Sequence, residues 1–405
     1  MARKDDNPVA LLHARKETNF QNTEIGPIPR DWRIVSLGQV GVVNMCKRVF
    51  KYETQSNGDI PFYKIGTFGG VCDSFISRVL FEKYKRLYPY PLYGSILLSA
   101  SGTIGKRVKY KGESAYYQDS NIIWLNHDEE LVLNDYLYYV YSNVQWVTET
   151  GSAISRLYNK LFLSAQIALP PLEEQKRIAE VLSHFDQHIE NLSALLEKKK
   201  QIKSAAMHQL LSGNTRLPGY SQEWEEFSLG YLCNLGYISL HRGNIISKKD
   251  ILQTPGTFPI YSSSIINDGL MGTYGKYMFD EELISWSVDG GGDFFYRHKH
   301  KFSITNVSGY MRFHTDTLHK QFVAYQLQYL HSFLTFDYLN KAHPSVIKDL
   351  YVLYLPPTFQ EQVAIASILS NMDEEIGALE QLIEKYQQLK QGAMQELLTG
   401  KTRLL

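Results

Sequence analysis

Cysteine is scarce, with three residues in 405, at Cys46, Cys72 and Cys233. Three scattered thiols make neither a disulfide framework nor a zinc-ligand spacing, and they fit a reducing cytoplasm. No run of 18 or more apolar residues exists to span a bilayer, so no membrane partner is expected. Met1-Ala-Arg-Lys-Asp-Asp lacks the apolar segment of a secretory signal. Net charge is missing as well: 42 Lys+Arg balance 42 Asp+Glu. That balance argues against indiscriminate coating of nucleic acid and leaves room for a sequence-specific binder with local basic patches. Catalytic signatures are absent: there is no HExxH, no paired CxxC and no nucleophile elbow. Both Pro-Pro pairs follow leucines (Leu169 and Leu355), so neither belongs to an Asn- or Asp-Pro-Pro-aromatic methyltransferase motif. Gly102-Thr-Ile-Gly-Lys106 falls short of a phosphate loop because Ala100 and Arg107 occupy its required Gly and Ser/Thr places. It reads as a β-turn or as a loop lying near a DNA backbone. Gly290-Gly-Gly-Asp293 offers one carboxylate, too few for a divalent cation, and reads as a tight loop. No cofactor or metal is expected on this chain.

What is present is a duplication. Residues 169–217 and 355–404 align at a constant offset of 187 after one inserted residue. Matches include Glu174/Glu361, Gln175/Gln362, Leu182/Leu369, Asp186/Asp373, Gly213/Gly400 and Arg216/Arg403. Each copy predicts a helix of about 40 residues, roughly 60 Å long. The start is fixed by Pro-Pro and the end by Gly. Apolar residues alternate in steps of four and three, at Ile178, Leu182, Phe185, Ile189, Leu192 and Leu196, then at Ile365, Leu369, Met372, Ile376, Leu379 and Ile383. That is a heptad seam. A surface helix packed on its own domain is the competing reading. Helix one is basic late (Lys198, Lys199, Lys200, Lys203) and helix two acidic early (Asp373, Glu374, Glu375, Glu380, Glu384), which favours antiparallel pairing.

Between the helical copies the chain keeps a plan but loses identity. Trp32 and Trp224 open two units that run 137 and 131 residues to Leu169 and Leu355. Each carries a Pro-containing strand, an apolar strand, a Gly-rich loop, a basic strand and a polar-Asn pair, with a few helices such as the Tyr-rich stretch 134–147. The class is α+β, two mixed domains alternating with two long helices. The helices stayed alike while the domains diverged, so one scaffold presents two different readers.

Basic clusters are the candidate DNA contacts. They are Lys47 and Arg48; Lys85 and Arg86 with Lys83; Lys106, Arg107 and Lys109; Arg156; Arg242; Lys248 with Lys249; and Arg297, Lys299 and Lys301. Period-2 alternation puts the last three on one face of their strand and His298 and His300 on the other. Phosphates are contacted by Lys, Arg and backbone amides, and base edges by Arg, Lys, Asn and Gln. Solvated surface is the competing reading for any single cluster.

Two dissimilar domains, each followed by LPP, an EQ-containing start and a long helix ending in L-L-S/T-G, resemble the specificity subunits of type I restriction-modification enzymes. Residues 169–179, 400–404 and 94–106 are especially similar to that family. The resemblance implies a tail at 1–20, a target-recognition domain at 21–171 and a spacer helix at 172–213. It further implies a second recognition domain at 214–357 and a second helix at 358–405. It implies that the helices form an antiparallel coiled coil with pseudo-two-fold symmetry. It implies a non-catalytic subunit bound to double-stranded DNA, with two methyltransferase subunits and motor-nuclease subunits as partners. S-adenosylmethionine, ATP and Mg would sit on those partners. An adaptor that binds proteins only, through its coiled coil, is the competing function; a self-contained methyltransferase or nuclease is disfavoured by the missing motifs.

Overall fold

The structure is a computed structural model, described for residues 14–147, 156–264, 266–289, 291–334 and 341–404. The chain divides into two units, one of residues 1–192 and 382–405, the other of 193–381. Each unit is therefore built from one globular domain, the start of one long helix and the end of the other.

In unit 1 the sheet strands are β1 (Val42–Asn44), β2 (Ile60–Tyr63), β3 (Phe75–Ile76), β4 (Ile96–Ser99), β5 (Arg107–Lys109), β6 (Tyr116–Tyr117) and β7 (Ile122–Asn126). They lie in the orders β1-β7-β4-β5 and β6-β2-β3. The apolar run at β4 has no polar face because both faces are covered, as strand alternation requires. Ile96 and Leu98 enter one core with Trp32, Ile123, Tyr136, Ile178 and Leu182. Leu97 enters a second with Phe62, Tyr116, Trp124 and the buried side of helix α1 (Arg78–Leu87). We call these the inner and outer layers. Helix α2 (Asn134–Asn143) is the Tyr-rich stretch and packs in the inner layer through Tyr136, Leu137 and Val140.

Unit 2 repeats the plan. Its strands are β8 (Ile238–Arg242), β9 (Phe258–Tyr261), β10 (Leu270–Tyr274), β11 (Phe279–Ser287), β12 (Phe294–Ile304) and β13 (Ser308–Phe313), in the order β8-β13-β11-β12-β9-β10. With β5 and β6 fused into one strand, unit 1 has the same order. The added helices differ: unit 1 inserts α1 after β3, whereas unit 2 inserts α3 (Lys248–Gln253) before β9. Helix α4 (Lys320–His331) takes the place of α2 in the inner layer.

The long helices span Leu172–Leu211 and Phe359–Leu397. Both terminate before a glycine with positive φ, at Gly213 (+70°) and Gly400 (+68°). A Cβ at Gly213 would meet the Tyr354 ring at 2.5 Å, and one at Gly400 would meet Pro29 at 2.4 Å. Within unit 2 the helices run antiparallel, with Lys199–Glu375 (2.5 Å), Lys200–Glu380 (2.9 Å) and Lys203–Asp373 (2.5 Å) paired. Within unit 1 they also run antiparallel: Lys390 pairs with Asp186, and the His188 and Tyr386 rings are 4.3 Å apart. The heptad positions split into two roles. Ile178, Leu182, Ile365 and Leu369 are fully buried in the domain cores, and Phe185 is buried too. Met372 packs against the unit 2 core, and Ile189, Leu192, Leu196, Ile376, Leu379 and Ile383 are half-buried.

The expected tail at 1–20 differs from the structure. Ala14–Lys16 is a strand, antiparallel to Thr402–Leu404, with Ala14 opposite Leu404. The chain beyond the second helix is thus a strand of unit 1 rather than more helix.

Candidate nucleic-acid interface

The repeated residues form one latch, built twice. In unit 1, Arg403 bonds Glu174 through Nε (2.7 Å) and Nη2 (2.8 Å), and the Trp32 indole donates to the same carboxylate at 3.0 Å. Asp31 and Glu17 complete the shell around the guanidinium. In unit 2, Arg216 bonds Glu361 at 2.8 and 2.7 Å, and Trp224 donates to it at 3.4 Å. Gln175 donates to the carbonyls of Pro170 and Leu131 and accepts from the Leu133 amide, while Gln362 does the same with Pro356, Thr317 and His319. Asp186 accepts from Tyr139 (2.8 Å) and Asp373 from Tyr325 (2.7 Å). Buried charge is tolerable only when it is paired and hydrogen-bonded. The latch meets that condition and sets each domain on the start of one helix and the end of the other.

The outer layer of unit 1 gathers four of the predicted cations. Lys47 lies 5.1 Å over the Tyr88 ring and Lys85 5.1 Å over Tyr90; Arg48 pairs with Asp119 at 2.8 Å, and Arg86 is exposed at the end of α1. The turn at 50–53 is held to α1 because Glu53 accepts from the Phe50 amide (2.9 Å) and from the Tyr84 hydroxyl (3.1 Å). Exposed Phe50, Lys51, Tyr52 and Tyr88 therefore join the patch. Sequence reasoning missed the three aromatics because nothing in the local pattern distinguishes an exposed ring from a core one.

The β5 cluster is different. Lys106 is exposed beside Gly69. Arg107 stacks on Tyr138 of α2 at 4.5 Å, and Lys109 pairs with Asp135 of the same helix. Arg156 donates to the Ser120 hydroxyl at 2.7 Å. Those three side chains tie the domain together, so Lys106 is the member of the group that presents an unpaired cation.

In unit 2 the expectation that Arg297, Lys299 and Lys301 share a face fails. A bulge places His298 and Lys299 opposite the single residue Glu282, because Glu281 pairs with His300 and Leu283 with Arg297. One extra residue inverts the alternation. Arg297 is consequently buried, stacked 3.7 Å from the Tyr261 centroid, and donates to the Ser285 hydroxyl (2.8 Å) and the Asp268 carbonyl (2.5 Å). Burial pulls its pKa down to about 10. It holds the 266–269 turn and is not a surface contact. Lys299 is exposed, and Lys301 lies 4.9 Å over exposed Tyr277. Lys248 opens α3, whose Ser247 cap accepts from the Asp250 amide. Arg242 is exposed but donates to the Asn306 carbonyl at 2.9 Å. Lys276 and Tyr277 were not anticipated.

Among the described residues no group of three or more His, Cys, Asp or Glu could hold a metal ion, and no helix is long and apolar enough to cross a membrane.

The family model of the type I restriction modification DNA specificity domain matches twice, over residues 29–203 and 221–391. A Haemophilus influenzae protein described as a type I restriction enzyme specificity subunit is 48% identical over 176 residues, 44% of this chain and 46% of that relative. The match thus spans under half of that relative's length. The MjaX specificity subunit of Methanocaldococcus jannaschii is 24% identical over 98% of this chain and 99% of its own. The crystal structure of a type I restriction-modification S subunit from M. genitalium superposes with a TM-score of 0.64 at 16% identity, covering 90% of this chain and 96% of that one. That likeness speaks to the fold.

Proposed function

Because the chain belongs to the type I restriction-modification DNA specificity family, we propose that it is the DNA-reading subunit of such an enzyme. The outer layer of each unit reads one half of a bipartite duplex target. The observation that carries this reading is a contrast: the latches and the helix starts they hold match residue for residue, while the exposed cations and aromatics sit on outer layers that share strand order and little sequence. Lys47, Lys85, Arg86 and Lys106 would serve the first half-site, and Lys248, Lys299 and Lys301 the second. The chain supplies no catalytic group. Two methyltransferase subunits would bring S-adenosylmethionine and methylate one adenine in each half, which requires the base to leave the stack. Motor-nuclease subunits would bring ATP and Mg. Repeat-related exposed residues on the long helices, Leu195 with Ile202 and Leu382 with Leu389, are apolar positions seven apart and suit two copies of one partner.

Mapping methylated adenines in cells with and without the gene gives the target. Lys85→Ala/Arg86→Ala should then weaken the first half-site alone, and Lys299→Ala/Lys301→Ala the second alone. If methylation is indifferent to the chain, or both pairs leave DNA affinity unchanged, the adaptor reading replaces this one.

A further inference from the structure

Among the described residues, the most exposed large aromatic stands in the basic patch of unit 1. Tyr52 is 83% exposed and Phe50 46%. Their rings are stacked, 5.6 Å apart at 5° between planes. The turn that carries them is fixed by Glu53 and Tyr84, as described above, and α1 is anchored beneath by buried Phe81 and Tyr84. Around the rings, the 47–53 loop and α1 hold Lys47, Arg48, Lys51, Arg78, Lys83, Lys85 and Arg86 against Glu53 and Glu82, and Glu53 is already engaged.

An exposed apolar pair on a rigid turn has a solvation cost that stacking of the two rings on each other offsets only in part. A protein partner would meet this patch as a cationic rim. A DNA duplex meets it with phosphates for the cations and base faces for the rings, and base–aromatic stacking needs no sequence-specific hydrogen bond. Preorganisation favours this use, because little side-chain freedom remains to be lost on binding.

We propose that Phe50 and Tyr52 are a stacking wedge that enters the base stack of duplex DNA at the half-site read by unit 1, with Lys47, Lys51 and Arg86 gripping the flanking phosphates. This rests on the DNA-reading function proposed above. The wedge positions the duplex and opens the stack; it does not itself read donor and acceptor patterns.

The test uses the full chain assembled with its methyltransferase partner and a duplex carrying the mapped target. Phe50→Ala/Tyr52→Ala should lower target affinity about ten- to hundredfold and leave the slope of affinity against salt unchanged, because no phosphate contact is removed. Tyr52→Trp should add an emission that target DNA quenches and shields from acrylamide. The wedge is overturned if the added tryptophan stays bright and accessible in a complex that retards the duplex in a gel, or if the double variant loses less than twofold. It is overturned too if the double variant instead fails to co-purify with the methyltransferase, which would assign the patch to a protein. Loss of all salt-dependent binding by the wild-type assembly is a different failure, that of the DNA-reading function itself.

Discussion

Among the described residues, fourteen buried apolar side chains, from Cys46 to Trp124, pack as one cluster in the outer layer of unit 1, whereas the outer cluster of unit 2 has four: Phe279, Leu283, Phe302 and Ile304. The inner layers bury comparable sets around Trp32 and Trp224. Divergence has therefore been concentrated in one layer. In unit 1 a helix with two buried aromatics, Phe81 and Tyr84, thickens the outer layer. In unit 2 a six-residue helix with no buried residue decorates it, and a bulged eleven-residue strand does the structural work of β5 and β6. A latch that depends only on inner-layer residues leaves the outer layer free to be rebuilt, which is what a protein must allow when its partners stay constant and its target does not.

The comparison can be broken most severely by making the two units identical. A chain ending after Leu217 keeps the first domain, the whole first helix and Arg216, but lacks Arg403 and the 402–404 strand. Arg216 matches Arg403, so two copies can pair antiparallel with each Arg216 on the other's Glu174. Two-fold protein symmetry maps onto palindromic DNA. Supplied with the methyltransferase, this fragment should methylate an interrupted palindrome built from the first half-site. A fragment that stays monomeric at micromolar concentration, or that methylates the original asymmetric target, would refute the equivalence of the latches.

Next in size is the latch itself. Arg403 is 3% exposed and bonds three carboxylates, while Arg216 is 21% exposed and bonds one. Arg403→Ala should destabilise unit 1 by about 3–5 kcal/mol, since it strands a buried carboxylate; Arg216→Ala should cost unit 2 less. Hydrogen exchange resolved along the full chain measures both, and the reverse ranking would contradict the structure.

Acid should separate the units by a smaller margin. Burial holds the pKa values of His241, His319 and His331, all in unit 2, below the ordinary 6.5. His319 also caps α4 by accepting from the Phe322 amide at 3.3 Å, which needs a neutral ring. Each of these histidines favours the folded state fully above its unfolded pKa of about 6.5, and that contribution fades as pH falls below it. Hydrogen exchange at pH 7.5 and pH 5 should show α4 and its neighbours in unit 2 opening first. Earlier opening of α2 would contradict this.

The smallest effect sharpens the bulge. Lys299→Ala should leave stability within about 0.5 kcal/mol and reduce the salt slope of DNA binding by about one. Arg297→Ala should unfold the 266–269 turn, visible as faster exchange there, without a phosphate-type change in slope. Equal behaviour of the two variants would mean that the alternation is intact after all.

Much of this was legible in the residues. Identities at one offset located both helices, and the late lysines against early acids gave their direction. Glu174/Glu361 and Arg216/Arg403 were visible as matches, but that each Arg bonds the Glu of the other repeat was not, because a sequence match reports likeness and not proximity. The bulge at His298 and Lys299 left no local mark, so strict alternation misplaced Arg297. The heptad spacing favours an interhelical seam over packing on the helix's own domain, whereas Ile178, Leu182, Ile365 and Leu369 serve the domain cores; heptad spacing cannot say what covers a face. The wedge candidates went unseen for a related reason, since exposure of Phe50 and Tyr52 follows from a turn held by Glu53.

The pairing of Ala14–Lys16 with Thr402–Leu404 also bears on synthesis. Domains on a growing chain generally fold as units, the earlier before the later. Here unit 2 has all its residues once position 381 has been made, but unit 1 needs positions 382–404 and the guanidinium of Arg403 for Glu174. The domain translated first is thus the last to be completed. A nonsense codon between positions 382 and 403 should injure the amino-terminal domain and spare the one encoded beside it.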